Sequence, residues 1–147
     1  MTPSRRRLDA GVAAALAAVA LLTLTPTGRG WAWGAPLAEA RWYVAGWDSG
    51  TAMLQLVGNL ALLVPLATLA VLRWPVLSDP RRLAVASLAG GAAVELLQWT
   101  LPLGRVVSPL DALLNAAGAV VAGLLAARLR SGPRPLPIGG SFSPGRP

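Results

Sequence analysis

Four apolar blocks divide this chain, over about Leu8–Leu24, Thr51–Leu72, Leu83–Leu101 and Ser108–Ala127. A helix rises about 1.5 Å per residue, so roughly 20 residues cross the ~30 Å hydrocarbon layer of a bilayer. Each block is of that order. The pattern predicts an all-α integral membrane protein, a bundle of four transmembrane helices. No internal repeat is visible, and the last two blocks form a tight hairpin around Pro102–Val107. Residues 1–7 make a basic start, residues 8–128 the transmembrane domain, and residues 129–147 a tail. From Ser131 to Pro147 the tail has five prolines and four glycines without apolar periodicity, so it is expected to be disordered. The first block, behind Arg5, Arg6 and Arg7, also fits a cleaved signal peptide. Its apolar run is long for a signal core of about 7–15 residues, so a retained helix is expected.

Composition agrees with the pattern. Hydrophobic residues make up 54% of the 147 and charged residues only 13%, against about 25% charged in a soluble domain. Such a chain cannot clothe a water-soluble surface. All 13 basic residues are arginine, which with the alanine-rich text fits a high-GC bacterial genome. The net charge of +7 reads as orientation against an anionic inner leaflet and not as a nucleic-acid surface. Ten arginines (5, 6, 7, 73, 81, 82, 128, 130, 134 and 146) fall on one side of the predicted bundle, and Arg29, Arg41 and Arg105 on the other. The positive-inside rule then puts both termini in the cytoplasm, with the protein multi-pass in the bacterial cytoplasmic membrane. Cysteine and histidine are absent, which excludes disulfides, thiol catalysis, thiolate metal sites and the usual general base. No metal and no cofactor is expected.

The loop from about Pro26 to Gly50 carries Trp31, Trp33, Trp42, Tyr43 and Trp47. Such rings favour the headgroup layer, so this outer loop reads as an interfacial anchor, with room for a short interfacial helix. The alternative is that some of the rings line an outer-leaflet ligand site.

The candidate chemistry lies in polar residues within the apolar blocks. Glu95 and Gln98 are three apart, Asp111 and Asn115 four apart, so each pair shares a helix face. With the inferred topology and the helical rise, Glu95 lies about 9 Å, Asn115 about 10 Å and Asn59 about 12 Å in from the outer ends of their spans, with Gln98 and Asp111 near 5 Å. Three helices therefore place polar groups in one outer-half layer, with Arg105 in the link between the last two spans. An ionisable residue at a helix centre costs about 2.5–3.5 kcal/mol on insertion scales and generally faces a protein interior. A single pocket is expected from Asn59, Glu95, Gln98, Arg105, Asp111 and Asn115, in which Arg105 makes a bidentate pair with a carboxylate. The plainer alternative is interhelical hydrogen bonding, at about 0.6 kcal/mol each. Pro65 is expected to kink the second span, and Gly90, Gly91 and Gly118 to let helices approach closely.

At these residues the chain resembles the VanZ-like family of bacterial membrane proteins, over roughly Asn59 to Gly123. The matching residues are Asn59 with Pro65, the run Glu95–Gln98, Arg105, and Asp111 with Asn115 followed by Gly118. The chain departs from the family pattern at Leu63, Ala67 and Ala122, and at Ser108, where the resemblance leads one to expect another acid. What the resemblance implies is a cell-envelope role; the family's founding member is linked to teicoplanin resistance. It implies no reaction.

Three functions follow. The first is a non-catalytic envelope protein whose outer-leaflet polar site binds a membrane lipid or a lipid-linked cell-wall precursor and affects glycopeptide susceptibility. The second is a small intramembrane enzyme on such a precursor, with Glu95 and Asp111 as acid and base. The third is a transporter, disfavoured because the polar layer occupies one half of the spans. Nucleic acid is not an expected partner, and the sequence leaves the oligomeric state open.

Overall fold

The computed structural model describes residues 3–132; most of the expected disordered tail lies outside the described residues. The chain forms helices α1 (Pro3–Leu24), α2 (Pro36–Ala45), α3 (Gly50–Leu62), α4 (Val64–Arg73), α5 (Pro80–Thr100) and α6 (Pro109–Ser131), with a 3-10 turn at Pro75–Ser78. Two short strands, β1 (Trp31–Trp33) and β2 (Arg105–Val107), complete it. Four helical stretches are long and apolar enough to cross a membrane: Ser4–Leu24, Gly50–Arg73, Pro80–Thr100 and Pro109–Ser131. The last continues past the tail boundary expected at residue 128, because alanine, leucine and arginine there are all good helix formers.

The sequence marks most of the helix ends. α5 starts behind Asp79, whose carboxylate accepts the Arg82 N–H at 2.9 Å, and α6 behind Ser108; proline opens the first turn of each. The second apolar block is two helices. Pro65 has no N–H to give to the carbonyl of Ala61. The Leu63 N–H takes that acceptor, and the ladder resumes with Ala67 donating to Leu63 at 2.9 Å.

Helix α6 is the axis of the bundle, packed against α3, α4 and α5, while α1 lies mainly on α4. Small residues permit this. A Cβ on Gly118 would run into the backbone carbonyl of Leu60 on α3, and one on Gly91 into that of Ala112 on α6. Gly90 is different, since a Cβ there would make only an ordinary contact with Leu63. At the arginine-rich end Asp9 and Arg73 form the one ion pair among the described residues, joining α1 to α4. Arg130 there donates to the last carbonyls of α4.

Burial is inverted relative to a soluble protein. Leu21, Leu22, Leu54 and Leu129 are 65–84% exposed, whereas Glu95, Gln98, Asp111 and Asn115 are buried. The aromatic loop contains the expected short helix, α2, and its tryptophans lie at the surface; Trp31 meets Trp99 of α5 edge-on, with ring centres 6.4 Å apart.

The fold is mostly helical, as expected, and β1 and β2 are a small addition that the apolar pattern did not signal. They pair in parallel, Trp31 opposite Arg105 and Trp33 opposite Val107. Both segments hold aromatic or β-branched residues suited to an extended backbone. The pairing is extended by Thr27 N–H to the Leu103 carbonyl and Gly34 N–H to that of Val107, both at 2.8 Å. Gly104 turns the chain into β2 at φ +70°, with Gly28 so close that no side chain fits.

Candidate functional site

Strand β2, the C-terminal ends of α1 and α5, the length of α3 and the first turns of α6 line an open cavity of about 500 Å³. Asn59 reaches it from α3, Glu95 and Gln98 from α5, Arg105 from β2, and Asp111 and Asn115 from α6. All six polar residues singled out in the sequence therefore line one space. Thr51 and Gln55 join them from α3, and Leu22 and Thr23 from α1.

Ser108 organises the wall. It is completely buried, and its backbone N–H donates to Glu95 Oε2 at 2.7 Å. Its hydroxyl accepts the N–H groups of Leu110 and Asp111, capping α6, and donates to the carboxylate of Glu39 on α2. One small residue, through its hydroxyl and its backbone N–H, thus ties α2, α5 and α6 together. The resemblance leads one to expect an acid at position 108. Here a carboxylate is supplied to that place from α2, and serine is the residue small enough to admit it.

A second tie from α2 is Tyr43, whose hydroxyl donates to Asp111 Oδ1 at 3.2 Å. Burial, reinforced by the neighbouring Asp111 carboxylate, pushes the Tyr43 phenol from its usual 10.0 up to about 12. It stays a hydrogen-bond donor at any physiological pH.

Arg105 does not form the expected pair with a carboxylate. Its Nη2 donates to the carbonyls of Leu22 at 2.8 Å and Thr25 at 3.1 Å, and its Nε approaches Thr25. The last carbonyls of a helix lack internal partners and carry the negative end of its dipole, and β2 holds Arg105 beside them. Gln98 performs a related task, its Nε2 donating to the Thr23 carbonyl at 3.2 Å. Both residues fasten the end of α1 over the cavity.

Two buried atoms have no hydrogen-bond partner among the described residues: Asn59 Nδ2, a donor, and Asn115 Oδ1, an acceptor. Gln55 and Asn59 approach Asp111 from α3. Among the described residues no three metal-ligating side chains converge. The structure adds Glu39 and Ser108 to the residues read from the sequence, and of the aromatic-loop rings it brings the Tyr43 hydroxyl onto Asp111. Glu39 gave no sign of facing inward; the unmatched position 108 was the available signal.

The family model described as VanZ/LLP1 matches residues 10–130, from within α1 to the end of α6. The chain belongs to the VanZ/LLP1 family. Membership extends the likeness seen over Asn59–Gly123 back through α1 and α2, so the loop that delivers Glu39 and Tyr43 falls within the VanZ-like membrane domain. No curated protein and no solved structure matches the chain.

Proposed function

We propose that this VanZ-like membrane protein spans the bacterial cytoplasmic membrane with both termini inside, and that its polar cavity opens in the outer half and binds a lipid-linked or cell-wall-related ligand. Through that ligand it affects susceptibility to glycopeptides such as teicoplanin. The observation that carries the reading is the convergence of Asn59, Glu95, Gln98, Arg105, Asp111 and Asn115 on one cavity, two of them with unpartnered buried atoms. Buried polar groups left without partners are uncommon and call for an explanation; a ligand that completes them is one. The arginines of the opposite end (Arg5–Arg7, Arg73, Arg81, Arg82, Arg128 and Arg130) support the orientation.

The test is teicoplanin susceptibility of a sensitive bacterium carrying the wild type, Asp111→Asn or Asn115→Leu at matched membrane levels. The wild type is expected to raise the inhibitory concentration, and each variant to lose most of that rise. Equal protection by all three overturns a role for the cavity, and no shift with the wild type overturns the teicoplanin reading. Arg105→Ala is a poorer probe, because it also releases the last turn of α1.

A further inference from the structure

Where α5 and α6 line it, the cavity offers acceptors. The Glu95 and Asp111 carboxyl groups line it, and so does Asn115, which is 1% exposed with a carbonyl oxygen that no described residue satisfies. Arg105 is the one basic side chain in the lining, and two of its nitrogens are engaged by α1 carbonyls. An anionic group placed deep in this space would face two carboxyl groups. An apolar group would leave the Asn115 oxygen unpaired in a buried site, and a quaternary ammonium has no N–H to give. A primary ammonium has three donors, matching the carboxyl groups of Glu95 and Asp111 and the amide oxygen of Asn115. Its positive charge makes these bonds stronger than neutral ones.

The cavity also has a side entrance. α1 packs on α4 and α5, and α3 packs on α6, but α1 and α3 scarcely touch. Leu22 on one side and Leu54 and Leu62 on the other line the gap. Leu22 and Leu54 are 65% and 75% exposed, and the space beside Gly58 is open. A polar chamber with an apolar slot in its flank suits an amphiphile entering from the bilayer, with its chains remaining along the leucines.

We infer that the cavity takes the primary ammonium of a lipid headgroup, entering sideways between α1 and α3. This rests on the ligand-binding reading above and narrows its chemistry. Glu95, Asp111 and Asn115 accept from the ammonium. The remaining Arg105 nitrogen, on β2, suits the phosphodiester that adjoins an amine in an aminophospholipid.

Lipid retention by the purified full chain tests this, with native mass spectrometry after incubation with phosphatidylethanolamine, phosphatidylglycerol or phosphatidylcholine. Phosphatidylethanolamine is expected to be retained about tenfold over the other two, the discrimination a charge-assisted hydrogen bond confers. Asp111→Asn and Asn115→Leu should each remove about that factor. Gly58→Leu, which leaves every polar lining residue in place and fills the slot, should reduce retention as well. Equal retention of phosphatidylcholine or phosphatidylglycerol, still sensitive to Gly58→Leu, overturns the ammonium assignment while leaving a lipid site. No retention above the Gly58→Leu background for any lipid overturns the ligand-binding reading along with it. Displacement of phosphatidylethanolamine by equimolar soluble phosphoethanolamine overturns lateral entry, because a chain-free head would then suffice.

Discussion

Tyr43 condenses the site's electrostatics into one measurable group. It is the chain's only tyrosine, so phenolate absorbance against pH reports it alone. The expected midpoint in the folded protein is about 12, and Asp111→Asn should move it down toward 10.0, the value without burial and without a carboxylate neighbour. A wild-type midpoint near the ordinary value would show that the α2 contact is absent in solution. Because the folded value lies above the unfolded one, the phenol's stabilising contribution is complete below about pH 10 and is lost as pH rises toward 12. Melting temperature in detergent should therefore fall across that window in the wild type and less in Tyr43→Phe. At this scale the sequence was legible where polar residues interrupt apolar runs, as at Asn59, Glu95 and Asn115. It was not legible where the partner is backbone. Arg105 turns to carbonyls, which every residue has, so nothing in the text distinguishes that role from a carboxylate pair. Glu39 and Tyr43 stand in a loop where polar residues are ordinary, and only folding directs them inward.

The helices were readable from the lengths of the apolar blocks, and Pro65 announced the interruption in the second. What periodicity did not give was the order of packing, in which α6 is central; that depends on where small residues let backbones meet. Gly118 is the critical one, because a Cβ there collides with the Leu60 carbonyl, which has no side-chain freedom to move aside. Gly118→Ala should force α3 away from α6 and cost about 1–3 kcal/mol, the usual penalty of overpacking. Gly90→Ala is the control. Its new methyl would sit 3.5 Å from Leu63 Cδ1, an ordinary contact, and the exchange should stabilise the fold by about 0.5–1 kcal/mol, as glycine to alanine does inside a helix. If the two variants melt alike in detergent, the α3–α6 approach does not limit stability. Because Asn59 and Gln55 sit on α3, Gly118→Ala should also loosen the cavity and weaken any ligand held there.

For the whole molecule the chief prediction concerns orientation. The chain has no cysteine, so single cysteines can be introduced without removing any. In intact cells a membrane-impermeant maleimide should label Asp48→Cys, in the aromatic-loop end, and spare Val76→Cys, in the turn between α4 and α5, until the membrane is permeabilised. The reverse pattern would put the cavity on the cytoplasmic side and end the proposed role at the cell wall. The strand pair sets a further condition on the molecule. β1 follows the first helix and β2 precedes the last, with α2 through α5 between them. No ribosome-bound intermediate can close that ribbon until both α5 and β2 have emerged, so Arg105 cannot clasp α1 and the roof of the chamber cannot form before then. A nascent chain stalled before α5 would leave the Leu22 and Thr25 carbonyls without their guanidinium partner, and the end of α1 open to quality-control proteases.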